Sequence, residues 1–95
     1  MDIPRKIGSL EIAHYAILDD TCTHTKNCVN EISGKVLGAA IWAAITKASD
    51  GEQCYLFFCY PEGELTDSLH ESVSEAKEQA EWEYFGIKNR WKLAT

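Results

Sequence analysis

Residues 67–86, DSLHESVSEAKEQAEWEYFG, hold a helix whose start, inner face and stop are all written in the chain. Glu75 follows Ser72 at the capping-box spacing, in which each side chain can satisfy the other's unpaired backbone N–H. Glu71 and Glu75 fall where the positive end of the helix dipole favours anions. Ala, Glu, Lys and Gln are strong helix formers and fill the interior. Gly86 suits the position just past the end, because it accepts a left-handed backbone without a Cβ penalty. At about 100° per residue, Val73, Ala76, Ala80 and Tyr84 share one face. The two alanines predict close approach to a flat surface such as a sheet.

Trp82 points roughly opposite to Val73, and Phe85 lies between the two faces. Either the tail, with Ile87 and Trp91, covers Trp82 within the chain, or Trp82 meets another molecule. Glu75, Glu78 and Glu81 occupy much of the same surface. An aromatic anchor ringed by carboxylates suits a basic protein partner, although helices also carry such charges for solubility alone. Trp82, Phe85, Glu75, Glu78 and Glu81 are therefore the candidate partner-binding residues.

The rest of the chain reads mainly as strand. Residues 9–18 alternate with Leu10, Ile12, His14, Ala16 and Leu18 on one side, and neither side is fully polar. Residues 19–34 are rich in Thr, Asn and Asp and read as a long loop, a kind of segment that is often functional. Residues 35–48 suit either a helix capped by Ser33 or a buried strand, and the Asp50–Gly51 turn signal that follows selects a hairpin of about 39–48 with 52–60. Residues 64–67 are a short strand or a turn into the helix. The tail adds an extended segment anchored by Trp91. The helix face is expected to meet Ile41, Ala43, Ile45, Tyr55, Phe57 and Cys59. Trp42, Leu56 and Phe58 are expected on the opposite sheet face.

A chain of 95 residues makes one domain with one core. A net charge of −6 argues against a nucleic-acid partner, which needs a basic surface, and favours basic protein partners. The basic residues gather near the two ends, as Arg5 and Lys6, then Lys88, Arg90 and Lys92, and read as solvated ends. The N-terminus lacks the apolar stretch of a secretory signal, and residues 36–45 are too short to span a bilayer. The expectation is a cytoplasmic chain without a membrane partner.

The run YLFFCY, followed by D-x-x-H and by the E-A-x-x-Q-A-E-aromatic-E-aromatic helix, resembles a group of small, largely uncharacterised bacterial proteins. The matching positions include Tyr55, Leu56, Phe57, Cys59, Asp67, His70, Glu75, Ala76, Gln79, Ala80, Glu81, Trp82, Glu83 and Tyr84. The resemblance covers residues 40–87 and implies an immunity- or accessory-like role.

Catalytic chemistry has weak support. Cys22, His24 and Cys28 lie close together, but zinc sites draw ligands in tighter pairs and a second pair is missing. Cys54 and Cys59 would point to opposite faces of one strand. Buried or unligated thiols fit best, with a local Cys22–Cys28 disulfide as the alternative. Asp67 and His70 flank the helix start and could form an acid–base couple, with Cys59 or Ser68 as nucleophile. The simpler role is structural, Asp67 capping the turn and His70 bonding a backbone carbonyl. His14 reads as a core histidine. His24, Asp67 and His70 define a candidate ligand cleft beside the 19–34 loop. No phosphate loop, G-x-S-x-G or H-E-x-x-H occurs, and no cofactor or metal is expected.

Together these readings give an α+β fold, an antiparallel sheet of three to four strands with one long helix packed on one face. The expected function is non-enzymatic and works by protein–protein contact. The alternatives are a small-molecule-binding domain or minor enzyme at the 19–34 loop and His70, and a structural homodimer.

Overall fold

The computed structural model describes residues 3–47 and 53–94. In chain order its strands are β1 (Lys6–Ile7), β2 (Leu10–Ile17), β3 (Thr23–His24), β4 (Glu31–Ile32), β5 (Lys35–Val36), β6 (Trp42–Lys47), β7 (Cys54–Cys59) and β8 (Leu65–His70). Helix α1 (Val73–Glu83), β9 (Tyr84–Phe85), a 3-10 turn (Ile87–Asn89) and β10 (Lys92–Leu93) complete it. The main sheet is antiparallel and runs β1-β2-β6-β7-β8, with β10 sharing the outer edge of β2 with β1.

This corrects the expected fold. Strands take 44% of the described residues and helix only 16%, and the sheet curls into an open half-barrel. The helix is short, 11 residues. Two sources of sheet were hidden. The LTDSLH run of β8 is polar and alternating, as suits an edge strand, and was expected as a brief strand or turn. The N-terminal segment adds β1, whose two-residue length carries no pattern of its own, while β10 falls in the tail, where an extended segment was expected.

β6 explains its own apolar run. It lies between β2 and β7, and Trp42, Ala43, Ala44, Ile45 and Thr46 are all buried. One face joins the main core, where Ala16, Ala43, Ala76 and Ala80 are fully buried beside Ile45, Leu56 and Phe58. Small side chains on both helix and sheet let the backbones approach closely, as the alanine stripe predicts. The other face holds a smaller cluster of Ile12, Trp42, Ala44 and Cys59, with Ile3 and Ile7 packed against it.

The expected face of β7 was inverted. Ala43 pairs with Phe58 and Ile45 with Leu56, so Cys54, Leu56, Phe58 and Tyr60 join the helix side. Tyr55, Phe57 and Cys59 alternate to the other side. A tight turn over Asp50 and Gly51 would itself pair Lys47 with Cys54 and so demand this register, since a one-residue slip flips every side chain. The turn lies outside the described residues. In β2 the even-numbered alternation also breaks. A bulge between Ile12 and His14 sends Ile12 to the smaller cluster and Ala16 to the main core.

Residues 19–34 are not one long loop. They contain β3, which pairs with β9, and β4, which closes a hairpin with β5 through Ser33 (φ +53°) and Gly34 (φ +81°). The tail does supply a strand, β10, but Ile87 and Trp91 pack into the main core. They do not cover Trp82, which is half exposed.

Candidate functional site

The helix begins as the sequence predicts, with the Ser72 hydroxyl accepting from the Glu75 N–H at 3.1 Å. Its end is different. Tyr84 is extended (φ −136°) and stops the helix, so Gly86 is not the residue immediately past its cap. Gly86 is left-handed (φ +99°) and opens the 3-10 turn instead. A Cβ there would meet the Thr21 carbonyl oxygen at 2.9 Å.

The polar stretch after β2 explains why the helix stops. The last turn of a helix leaves carbonyls without partners. The Thr25 hydroxyl donates to the Trp82 carbonyl at 2.7 Å, and the Asn27 side chain donates to the same oxygen at 2.9 Å. The Thr25 N–H donates to the Glu83 carbonyl at 3.0 Å. Tyr84 is then locked inward. Its hydroxyl accepts from the Ala40 N–H at 2.8 Å, and its ring stacks on His24 with centroids 4.9 Å apart. Burial pushes the Tyr84 phenol well above its ordinary range.

This clamp presents two aromatics outward. Trp82 is 51% and Phe85 65% exposed. Glu75 and Glu78 are exposed and lie on the helical stripe that leads to Trp82. Glu81 is engaged otherwise. Its carboxylate accepts from the backbone N–H of Gly86 and of Lys88, both at 3.0 Å, and so caps the 3-10 turn. Four of the five candidate partner-binding residues are therefore exposed, and the fifth is a structural cap.

One helix glutamate that the sequence marks only as a resemblance position, Glu83, is withdrawn from solvent. Glu83 is only 5% exposed. The Gln79 side chain donates to its carboxylate at 2.8 Å. Burial holds the Glu83 carboxyl above its usual range; hydrogen bonds from Gln79 and Cys28, and the charges of His24 and His70, pull the other way. His24 and His70, both candidate ligand residues, are thus brought near one buried acid. Asp67 is not. It lies opposite Phe57 on the other sheet face and is exposed. Asp67 and His70 sit within β8 rather than flanking the helix start, so Asp67 does not cap the helix and no Asp67–His70 couple forms.

His70 meets Ser68 instead, Oγ to Nε2 at 2.7 Å. That pair lacks the third group a triad uses to orient the imidazole, because no hydrogen bond to its other nitrogen exists among the described residues. Burial and the Glu83 charge push the Cys28 thiol up, which disfavours the thiolate. Burial raises Cys54 and Cys59 likewise. All four cysteines are free thiols, so Cys22 and Cys28 are not bridged. Among the described residues no cluster of His, Cys, Asp or Glu is arranged to hold a metal. None of their helices is long and apolar enough to cross a membrane.

No family model matches this chain, and neither curated proteins nor solved structures gave a match. Thr25, Asn27, Gln79 and Glu83 left little signal in the sequence. A threonine or asparagine in a polar stretch looks alike whether it caps a distant helix or faces water.

Proposed function

We propose that this chain is a non-enzymatic binding protein that acts through contact with another protein, made by the exposed aromatic end of α1. The observation that carries this reading is the exposure of Trp82 and Phe85 on a backbone already fixed by Thr25 and Asn27. Large aromatics on a fixed backbone have few rotatable bonds to order on docking and are frequent anchors of interfaces. Glu75 and Glu78 beside them fit a partner with an apolar pocket and a basic rim. The cytoplasm and an immunity- or accessory-like role are part of the same proposal.

The test is co-purification from the native host with wild type, Trp82→Ala and Phe85→Ala, with circular dichroism to verify folding. A basic partner kept by wild type and lost by both folded variants supports the reading. Equal retention by the variants removes this patch as the interface.

A second reading, self-association along the outer edge of β8, rests on a separate observation. That edge has no partner strand among the described residues, and Leu65 and Leu69 are exposed on it.

A further inference from the structure

The two basic chain ends, which read from sequence as separate solvated segments, meet on one strand. The outer edge of β2 is shared. β1 pairs with Leu10 and Glu11, and β10 pairs with His14 and Tyr15. Between these pairings the Arg5 carbonyl accepts from the Ile12 N–H and the Ala13 carbonyl from the Ala94 N–H, each at 3.0 Å. Both segments run antiparallel to β2, one beyond the other along its edge, and together with β2 they line a cleft of about 590 Å³. That volume falls in the range of small-molecule sites.

The lining has two halves of different character. Ile3, Ile12, Ile17 and Leu93 supply apolar surface, and Tyr15 adds an aromatic ring. Arg5, Lys6 and Lys92 supply positive charge, against Glu11 as the acid in the lining. The cleft thus has a positive excess on a chain whose net charge is −6. Two cations elsewhere are paired, Lys35 with Glu62 at 2.8 Å and Arg90 with Asp19 at 3.8 Å; Lys26, Lys47, Lys77 and Lys88 stand singly among the described residues, whereas the cleft gathers three cations in one lining. Arg5, Lys6 and Lys92 form no such pair with the described residues. Arg5, Lys6 and Lys92 are exposed to solvent, so three cations beside apolar surface suit an occupant that carries a negative charge on an apolar body.

We propose that the cleft between β1 and β10 binds a small amphipathic anion, a carboxylate carried on an apolar body. The carboxylate lies among Arg5, Lys6 and Lys92, and the apolar body covers Ile12, Tyr15 and Leu93. Neither a cation nor a neutral molecule of the same shape satisfies both halves.

Octanoate titrated into the ¹⁵N-labelled protein tests this, with octyltrimethylammonium as the opposite-charge control. The expected result is saturable shifts of the Ile12, Tyr15 and Leu93 amides with octanoate and none with the cation. An Arg5→Gln/Lys92→Gln variant should bind octanoate roughly three- to ten-fold more weakly, the effect of two partly exposed charges. Lys6→Gln alone should weaken it less. Absence of saturation, shifts centred elsewhere, equal response to the cation, or unchanged affinity in the folded double variant would overturn the assignment.

Discussion

Burial makes the ionisation of Glu83 costly. Burial raises its folded pKa above the unfolded value, so the folded state binds the proton more tightly. Stability from this group is therefore complete below the ordinary glutamate pKa and is lost as pH rises through the folded value. Glu83→Gln keeps the size and an acceptor oxygen for Gln79 while removing the charge. Denaturant unfolding should find the variant more stable than wild type at pH 7 and the difference shrinking toward pH 4. A constant or reversed difference would place the cost elsewhere. The residues legible in sequence were those whose role is set within a turn or two of chain. Ser72, Ala76 and Ala80 behave as their spacing predicts. Glu83 sits on the same helix but is buried by a segment far away in sequence, including Cys28 and Thr25, so local spacing could not mark it.

Elements were legible in kind and less so in extent. The helix, the paired strands β6 and β7, and β2 all exist; the helix and β2 have a periodic signal, whereas β6 was read from the Asp50–Gly51 turn signal and the aromatic run after it. The helix end was missed because two forms of termination compete. A left-handed glycine is a local stop, whereas donors from Thr25 and Asn27 act one turn earlier. Gly86 is still needed, for a reason that its neighbours supply. Gly63 and Gly86 are both left-handed, with φ of +93° and +99°, but only at Gly86 would a Cβ strike backbone. Alanine at a left-handed position costs roughly 1–3 kcal/mol. Gly63→Ala should fall within that range and Gly86→Ala beyond it, measured by equilibrium unfolding. Equal losses would show that the Thr21 segment yields freely.

At the scale of the whole molecule, the curled sheet closes one side better than the other. β2 has its outer edge covered by β1 and β10, but β8 has only Asp67 as a charged guard among its six residues. Edges of this kind template pairing unless charge or proline blocks them. Sedimentation should therefore show concentration-dependent dimers for wild type, with Leu69→Lys shifting the equilibrium toward monomer. A wild type that stays monomeric at high concentration would exclude pairing through β8. The sheet's overall width was not legible, because it depends on which distant strands meet. That choice is made by three-dimensional closure and leaves no periodic trace at either end of the chain.

The shared edge of β2 also fixes an order of events. Tyr15 pairs with Lys92 and His14 with Leu93, so this ladder joins the first fifth of the chain to its last residues. During synthesis β1 can cover Leu10 and Glu11 at once, but the part of the edge at His14 and Tyr15 must wait until residues 92–93 emerge. Such long-range closure places folding in the slow, millisecond-to-second class of non-local β topologies.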